Sequence, residues 1–325
     1  MAQKVEPISR VLVDIKGDFG RKTKISHGGF GVVYRATRKA KGKKSEMECA
    51  IKIMNNQSLL PGDYHIFDKE VKLLFRLKHP AIIELVGWSI PVMNYGYLAL
   101  VTKYMPNGSL SQVIQKESDS LAPEGWDIIK KYCCIVGIAV GMCYVHQQDM
   151  YIIHRDLKPD NILLDENFYP KICDFGISKM IENQRDQVFN MTMGIGTALY
   201  MAPEQMSGDT YDKKVDVYAY AYILYELFVL KKSWSDQFPN AEINPLRVSI
   251  LVQNGQRPEI AENIVTNKFR DLIKRCWSQN PDARPSFKEI VLDFKERADE
   301  FFPECSNDSD FMEYMESVLV GLNLE

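Results

Sequence analysis

The sequence lacks the patterns that mark several classes of protein. Its seven cysteines include no Cys-x-x-Cys pair, which argues against a common zinc site and favours reduced, mostly buried thiols. The apolar run from Val217 to Leu230 is interrupted by Glu226 and is short for a bilayer span, so it predicts a buried helix. The first residues form no apolar core, so we expect no signal peptide, and there are no repeats or low-complexity tracts.

The chain also lacks a strong excess of charge of either sign. Its formal net charge of -3 over 325 residues argues against bulk attraction to nucleic acid or to an anionic membrane. An apolar fraction of 46% is ample for a sizeable core, and the length suits one large domain or two lobes. We therefore expect no nucleic-acid partner, no membrane insertion and a cytoplasmic location.

The most informative stretch runs from Tyr151 to Asp165, where apolar residues enclose a short polar segment. The flanking runs predict strands that hold this segment rigidly. Within it, Asp156 can accept a proton, Lys158 can steady a phosphate, and Asn161 can supply an oxygen to a metal ion. These three tasks together are typical of phosphoryl transfer.

A glycine-rich stretch, Ser26 to Gly31, lies between two runs of β-prone residues. The flanks predict a hairpin, whereas glycine loops of the dinucleotide-binding and Walker types lead from a strand into a helix. Taken alone, the stretch favours a plain flexible hairpin. Its glycines would also let backbone N–H groups approach a phosphate closely.

Lys52 lies among apolar neighbours in a run that predicts a strand. A lysine in such a place needs a carboxylate partner, because burying an unpaired charge is costly. The helix predicted over residues 64–78 carries Glu70 on its inward side, and Asp68 and Glu84 are the alternatives.

Further along the chain, helical periodicity over residues 124–146 predicts a long core-facing helix. An apolar strand then delivers Asp174 to a turn, within Asp-Phe-Gly. Residues 177–201 have no clear period, and we expect a mobile segment that leads to Ala-Pro-Glu at Glu204. A second buried helix is predicted over residues 211–230.

In this order, these motifs resemble those of the eukaryotic protein kinase superfamily over about residues 19 to 300. The segment His154-Arg-Asp-Leu-Lys-Pro-Asp-Asn161 is similar to the kinase catalytic loop. The resemblance implies an α+β fold with two lobes and ATP in the cleft. It divides the chain into four parts: an N-terminal arm (1–18), a small β-rich N-lobe with one key helix (19–102), a hinge and mainly helical C-lobe (103–300), and a tail (301–325).

The resemblance implies a role for each charged site residue. Lys52, oriented by Glu70, would hold the α- and β-phosphates of ATP. Asp174 and Asn161 would bind Mg²⁺, which prefers oxygen ligands. Asp156 would orient the acceptor hydroxyl and take its proton, while Lys158 would lie against the γ-phosphate. The catalytic set is thus Asp156, Lys158, Asn161, Lys52, Glu70 and Thr197.

The resemblance also implies a nucleotide-binding set and a structural set. The residue Ser26 departs from the family pattern, which has glycine there. The implied nucleotide contacts are Ser26, Gly28, Gly29, Phe30, Gly31, Val33, Ala50, Lys52, Thr102, Lys103, Tyr104, Met105 and Leu163. Asp216 would hold the backbone of the catalytic loop, and Arg284 would pair with Glu204.

The resemblance also indicates which type of residue receives the phosphoryl group. Lys158 is typical of serine/threonine kinases, and Thr197 matches the threonine that those enzymes place beside the catalytic aspartate. The ending from Cys276 to Phe287 resembles the tyrosine-kinase and tyrosine-kinase-like groups instead. Both sets of features are typical of a tyrosine-kinase-like serine/threonine kinase that acts on protein substrates. Alternatives are a pseudokinase, which Ser26 alone encourages, and a scaffold.

Two further expectations concern regulation and the tail. Arg155 would gain from an anion donated by the segment before Glu204, and Thr192 is our predicted phosphosite. An upstream kinase or trans-autophosphorylation would supply that phosphate. In the tail, apolar residues at helical spacing predict a helix that docks on the chain's own surface, with a partner protein as the alternative. They are Phe311, Met315, Val318, Leu319 and Leu322.

Overall fold

The computed structural model describes residues 8–28, 31–40, 45–54, 61–91, 97–175, 179–181, 197–238, 243–262, 264–305 and 307–324. The chain divides into two compact units. The first comprises Met1–Lys78 and Ile82–Pro106, and the second comprises His79–Ala81 and Asn107–Glu325.

The first unit contains an antiparallel sheet and one long helix. Its elements are β1 (Thr23–Gly28), β2 (Gly31–Arg38), β3 (Met47–Met54), α1 (Pro61–Arg76), β4 (Leu85–Ser89) and β5 (Ala99–Lys103). The five strands are ordered β1-β2-β3-β5-β4. Alternation along the strands buries one face of the sheet, where Cys49 and Ile51 are fully enclosed.

The expected N-terminal arm is, from Ile8 onward, part of this first unit. Val13, Ile15 and Phe19 are buried against the sheet, because their apolar side chains extend its core. The Val13 N–H donates to the carbonyl of Trp88 on β4 at 3.0 Å. Close approach requires Gly87, where an added Cβ would lie 2.5 Å from a Val13 methyl group. Residues 8–18 of the predicted arm therefore pack on the first unit.

The second unit is mainly helical. Its helices are α2 (Leu110–Ser118), α3 (Ile128–His146), α4 (Pro203–Ser207), α5 (Lys214–Val229), α6 (Pro245–Gln253), α7 (Asn267–Cys276), α8 (Phe287–Glu296), α9 (Ala298–Phe301) and α10 (Ser309–Leu319). Its short strands are β6 (Tyr151–Ile153), β7 (Ile162–Leu164), β8 (Pro170–Ile172) and β9 (Lys179–Ile181). Antiparallel pairs form between β6 and β9 and between β7 and β8.

Several helices differ from the sequence prediction at their ends. The helix predicted from residue 124 begins at Ile128, because the Asp127 side chain caps it by accepting the Lys130 N–H at 2.9 Å. The sequence also predicts a last C-lobe helix from after Phe287 to about Phe301, but α8 ends at Glu296. The non-helical backbone of Arg297 separates α8 from α9.

The buried helices α3 and α5 form the centre of the second unit. By length and composition alone, α3 is apolar enough to cross a membrane, with a mean hydropathy of 1.7. However, 72% of that stretch is buried inside the protein, so packing accounts for its composition. All seven cysteines are free thiols, and all but Cys173 are buried, as predicted.

The tail helix α10 packs on α3 of the same chain. The rings of Tyr314 and Tyr169 stack at 4.1 Å, and Phe311 and Val318 are fully buried. The Val318 carbonyl accepts a hydrogen bond from the His79 imidazole at 2.8 Å. The helix therefore buries its apolar stripe on its own chain.

Candidate active site

Lys52 and Glu70 form an ion pair in the first unit. The strand β3 places Lys52 opposite Val33 of β2 and Leu100 of β5, and α1 presents Glu70. The Nζ–Oε1 distance is 3.8 Å, long for a direct hydrogen bond. The Glu70 side chain is 2% exposed, so a nearby cation is needed to offset the burial of its charge.

The other carboxylates considered for Lys52 lie elsewhere. Asp68 pairs with Lys72 one helical turn away at 2.6 Å, and both side chains are half exposed. Glu84 is exposed to solvent. Burial on the inward side of α1 thus distinguishes Glu70 from the two alternatives.

The glycine-rich stretch forms the hairpin between β1 and β2. Ser26 pairs with Val33, and Gly28 pairs with Gly31. Gly31 has a φ of 142°, and a Cβ there would collide with the Ile53 carbonyl oxygen. Only glycine fits this position. The predicted nucleotide contacts Gly29 and Phe30 lie outside the described residues.

The predicted hinge follows β5. The Lys103 N–H donates to the Glu84 carbonyl at 3.1 Å, and the Tyr104 N–H donates to the Glu48 carbonyl at 3.0 Å. In the described part of the chain, the Met105 N–H has no such acceptor. Of Lys103, Tyr104 and Met105, only Met105 therefore has, among the described residues, a backbone N–H that could donate to a nucleobase. Thr102 lies opposite Ala50 in the sheet.

The catalytic loop in the second unit is organised around Asp156. The Lys158 ammonium lies 2.8 Å from each carboxylate oxygen of Asp156. The Asn161 amide nitrogen donates to the Asp156 carboxylate at 2.8 Å and to its backbone carbonyl at 2.7 Å. The structure thus brings together the three residues that the sequence singled out. In the same unit, Leu163 lies on β7 opposite Lys171.

A buried histidine links this loop to the Asp-Phe-Gly segment. His154 Nδ1 accepts the Asp156 N–H at 3.3 Å, so Nε2 carries the proton and donates to the Cys173 carbonyl at 3.0 Å. The His154 ring also packs 4.7 Å from Phe175. These two contacts fix the residues on either side of Asp174, whose φ of 61° is unusual for a non-glycine residue.

Asp216, at the start of α5, holds the loop backbone. Its two carboxylate oxygens accept the N–H groups of His154 and Arg155, each at 2.8 Å. His146 also contacts it at 2.9 Å. Burial opposes ionisation of Asp216, but these hydrogen bonds and the His146 charge outweigh burial and lower its pKa.

The residues present suit a magnesium ion. The side-chain amide nitrogen of Asn161 donates to Asp156, so the side-chain oxygen Oδ1 of Asn161 can face a cation. Asp174 offers a carboxylate. Such oxygens suit Mg²⁺, which keeps several waters. Among the described residues, no group of three His, Cys, Asp or Glu side chains could hold a metal. In phosphoryl transfer, nucleotide phosphates coordinate Mg²⁺ beside such protein oxygens.

Arg155 adopts a left-handed backbone conformation, with a φ of 69°. Its guanidinium lies 5.3 Å from the centre of the Tyr211 ring, and its buried Nε has no hydrogen-bond partner among the described residues. Burial lowers the pKa of Arg155. An anion would compensate this burial, but Thr192 and the Thr197 side chain lie outside the described residues.

The end of the segment that leads to Glu204 makes two buried side-chain contacts, one through Glu204 and one through Tyr200. Arg284 pairs with Glu204 at 2.6 and 2.9 Å. The Tyr200 hydroxyl donates to the Glu226 carboxylate at 3.1 Å, and burial raises the pKa of Glu226. The sequence shows Glu226 only as an interruption of an apolar run, and its contact with Tyr200, 26 residues away, has no local signal.

Two other partners were missed for the same reason. His146 meets Asp216 from 70 residues away, and Tyr211 lies under Arg155. Neither residue stands out from its sequence neighbours. The antiparallel sheet with its Lys–Glu pair and the helical unit with its Asp-Lys-Asn loop together define the protein kinase fold.

Comparison with known proteins agrees with this fold. The model of the family described as "Protein tyrosine and serine/threonine kinase" matches residues 19–294, so the chain belongs to that family. The chain is 34% identical over 272 residues to the probable serine/threonine-protein kinase SIS8 of Arabidopsis thaliana, covering 84% of this chain and 24% of that protein.

Two other relatives show how the chain compares in length. It is 35% identical over 277 residues to the serine/threonine-protein kinase VIK of Arabidopsis thaliana, covering 84% of this chain and 59% of VIK. It is 33% identical over 298 residues to the dual specificity protein kinase splA of Dictyostelium discoideum, covering 87% of this chain and 12% of splA. The chain thus spans less than two thirds of the length of each.

Proposed function

We propose that this chain transfers the γ-phosphoryl group of Mg·ATP to serine and threonine hydroxyls of protein substrates. The observation that carries the proposal is the contact of Lys158 and Asn161 with Asp156, each at 2.8 Å. It joins a base, a phosphate-binding cation and a metal ligand within one rigid loop.

The chemistry of the loop follows from its charges. Asp156 accepts the proton of the acceptor hydroxyl, and Lys158 balances the negative charge that develops on the transferred group. Mg²⁺ supplies charge neutralisation of the phosphates when bound, and Asn161 and Asp174 are the residues that hold it. Asp216 keeps Asp156 in place by holding the backbone N–H groups of His154 and Arg155.

The first unit contributes the remaining binding groups. Lys52, held by Glu70, binds the α- and β-phosphates, and the Met105 N–H is the donor for the adenine base. Without Glu70, the Lys52 side chain would have more rotamers to choose from, and binding would cost more entropy.

The acceptor is argued from Lys158 and from the relatives. Lys158 follows Asp156 by two residues, the form typical of serine/threonine kinases. Two of the relatives named above are serine/threonine kinases, and one is named a dual specificity kinase. We therefore propose serine and threonine as acceptors, with transfer to tyrosine as an outcome to be measured.

One assay tests the proposal. Wild-type protein is incubated with Mg²⁺ and γ-labelled ATP and a generic protein substrate, beside Asp156→Asn, Asp174→Asn and Asp160→Asn. Asp160 is the matched control, since it lies in the same loop but is exposed. We expect transfer by wild type and Asp160→Asn only, and acid hydrolysis of the product should yield phosphoserine and phosphothreonine.

Nucleotide binding, measured separately, distinguishes the rival functions. Binding of Mg·ATP by wild type without transfer to any substrate would establish a pseudokinase and overturn the proposal. Equal transfer by wild type and Asp156→Asn would point to a contaminating kinase. The scaffold alternative loses its main support, because α10 packs on the chain itself.

Regulation and location complete the proposal. A phosphate on Thr192, added by an upstream kinase or in trans, would pair with Arg155, whose buried guanidinium would gain a charged partner. Intact-mass measurement of active protein and a Thr192→Ala variant test this. The cytoplasm is the proposed location, since free buried thiols suit a reducing compartment.

A further inference from the structure

A cavity of about 350 Å³ opens in the second unit between the end of α3, strand β6 and the first residues of α5 and α8. Three half-buried lysines line it, namely Lys213, Lys214 and Lys288. Among the described residues that line it, Asp212 is the one carboxylate. The remaining lining is mixed: His146, Gln147 and Ser286 are polar, whereas Tyr151 and Phe287 are aromatic.

The lysines retain donors that can reach a ligand. Lys213 and Lys214 each donate to one backbone carbonyl, of His146 and Arg284 respectively. An ammonium group has three N–H donors, so each of these two lysines has donors left over. Lys213 also lies 4.7 Å from the centre of the Tyr151 ring, which fixes its position at the wall.

The carboxylates near the cavity already have other contacts. Asp212 is exposed, and its Oδ1 accepts the Lys214 backbone N–H at 2.8 Å. Glu289, one turn into α8, accepts the Ser286 backbone N–H at 2.6 Å in a capping box. The first turns of α5 and α8 bring the positive ends of two helix dipoles to the cavity, and the last turn of α3 brings the negative end of one. Among the lining side chains, three ammonium groups outnumber the one carboxylate of Asp212.

We propose that this cavity binds a small phosphate monoester that carries an aromatic or apolar group. The three lysines meet the phosphate, and the half-buried ring of Tyr151 meets the apolar part. The volume exceeds the need of a bare phosphate ion, and the mixed lining favours a mixed ligand. Burial lowers the pKa of Lys213, and a bound anion would offset that cost.

The position of the cavity gives this site a route to the catalytic loop. His146 lines the cavity, and its Nε2 contacts the Asp216 carboxylate at 2.9 Å. Asp216 in turn holds the loop backbone at His154 and Arg155. The site is nevertheless defined by binding and does not depend on the proposed transferase function.

Calorimetric titration with three probes tests the ligand class. Phenyl phosphate is expected to bind more tightly than inorganic phosphate or phenol, because it alone uses both parts of the lining. Lys213→Gln and Lys288→Gln should each weaken it about fivefold, the factor of one partly exposed ion pair. Lys295→Gln is the matched control, since Lys295 is exposed on the same helix as Lys288.

Lysine acetylation of the wild-type protein, read by peptide mass spectrometry, locates the probe without relying on variants. Phenyl phosphate should slow acetylation of Lys213, Lys214 and Lys288 but not of Lys295. Protection of Lys52 alone would place the probe at the nucleotide site and overturn the proposal. Unchanged affinity in both cavity variants, or no binding of phenyl phosphate, would overturn it equally.

Discussion

Arg284 and Glu204 form a bidentate ion pair between residues 80 positions apart, with N–O distances of 2.6 and 2.9 Å. The Arg284 side chain is fully buried, and that of Glu204 is 12% exposed. The guanidinium also lies 4.9 Å from the centre of the Tyr218 ring. The pair thus ties the segment that ends at Glu204 to the chain that precedes α8.

Replacing one member of this pair should destabilise the fold. Arg284→Met leaves the Glu204 carboxylate buried without its cation, which should cost about 3–5 kcal/mol in the free energy of unfolding. Urea denaturation measures the loss. The control is Arg275→Met, whose pair with Asp293 is half exposed and should contribute about 1 kcal/mol or less. Equal losses for the two variants would contradict this account.

Asp216→Asn should lower stability in a pH-dependent way. The amide can accept only one of the two loop N–H groups, and losing one charged hydrogen bond should cost about 1.5–3 kcal/mol at pH 7. Because the pKa of Asp216 is lowered from 3.8, its contribution is present above that pH and is lost as pH falls through the lower folded-state value. The free energy of unfolding of wild type and variant, measured by urea denaturation from pH 3 to pH 7 in steps of about one unit, tests this. A difference between them that did not shrink toward pH 3 would contradict it.

Glu226→Gln should have the opposite pH dependence. Burial raises the pKa of Glu226 above 4.5, so the folded state favours the protonated carboxyl. Stability is therefore lost as pH rises from the unfolded-state value to the higher folded-state value. The glutamine stays neutral and can still accept the Ser233 N–H, which now donates at 2.8 Å. Its melting temperature should exceed that of wild type by more at pH 8 than at pH 5, and an unchanged difference would refute the argument.

Lys158→Ala should separate turnover from nucleotide binding. Lys158 contacts the Asp156 carboxylate, and in the proposed reaction it acts on the transferred group, so kcat should fall by about 10²–10³ while the KM for ATP changes little. Steady-state kinetics measures both. Lys171→Ala is the matched control, because Lys171 pairs with Asp165 at 3.0 Å in the same unit. A comparable loss of kcat in the control would show that the effect is structural.

Tyr314→Phe should leave stability unchanged or raise it. The Tyr314 hydroxyl is buried against Gly137 and finds no hydrogen-bond partner in the described part of the chain. Its removal spares a desolvation cost of about 1–3 kcal/mol. Gly137→Ala should destabilise, since the added Cβ meets this hydroxyl and lies 2.6 Å from Pro170 Cγ. The double variant should recover part of that loss, and strict additivity in thermal unfolding would contradict the contact.

The catalytic loop could be predicted because its contacts are local. Asp156, Lys158 and Asn161 lie within six residues of each other, and two short strands hold them, so spacing alone restricts their arrangement. The choice among Glu70, Asp68 and Glu84 as the partner of Lys52 was harder. It depends on which side of α1 is buried, and periodicity only indicates that side.

Contacts between distant residues could not be predicted from patterns. Residues 1–18 were predicted as an N-terminal arm, and the packing of Val13, Ile15 and Phe19 on the sheet was not predicted. Their burial depends on the sheet and on the space that Gly87 leaves. The cavity with its three lysines is a similar case, since residues from α3, α5 and α8 meet there.

The sequence by itself determined the family, the order of the motifs and the type of side chain at each motif position. Those properties reside in residue types at short spacings, which folding does not alter. Only the tertiary structure decided what holds these residues: His146 and Asp216 behind the loop, Arg284 against Glu204, and α10 against α3. Such contacts depend on packing between segments far apart in the chain, where many partners are chemically equivalent until burial selects one.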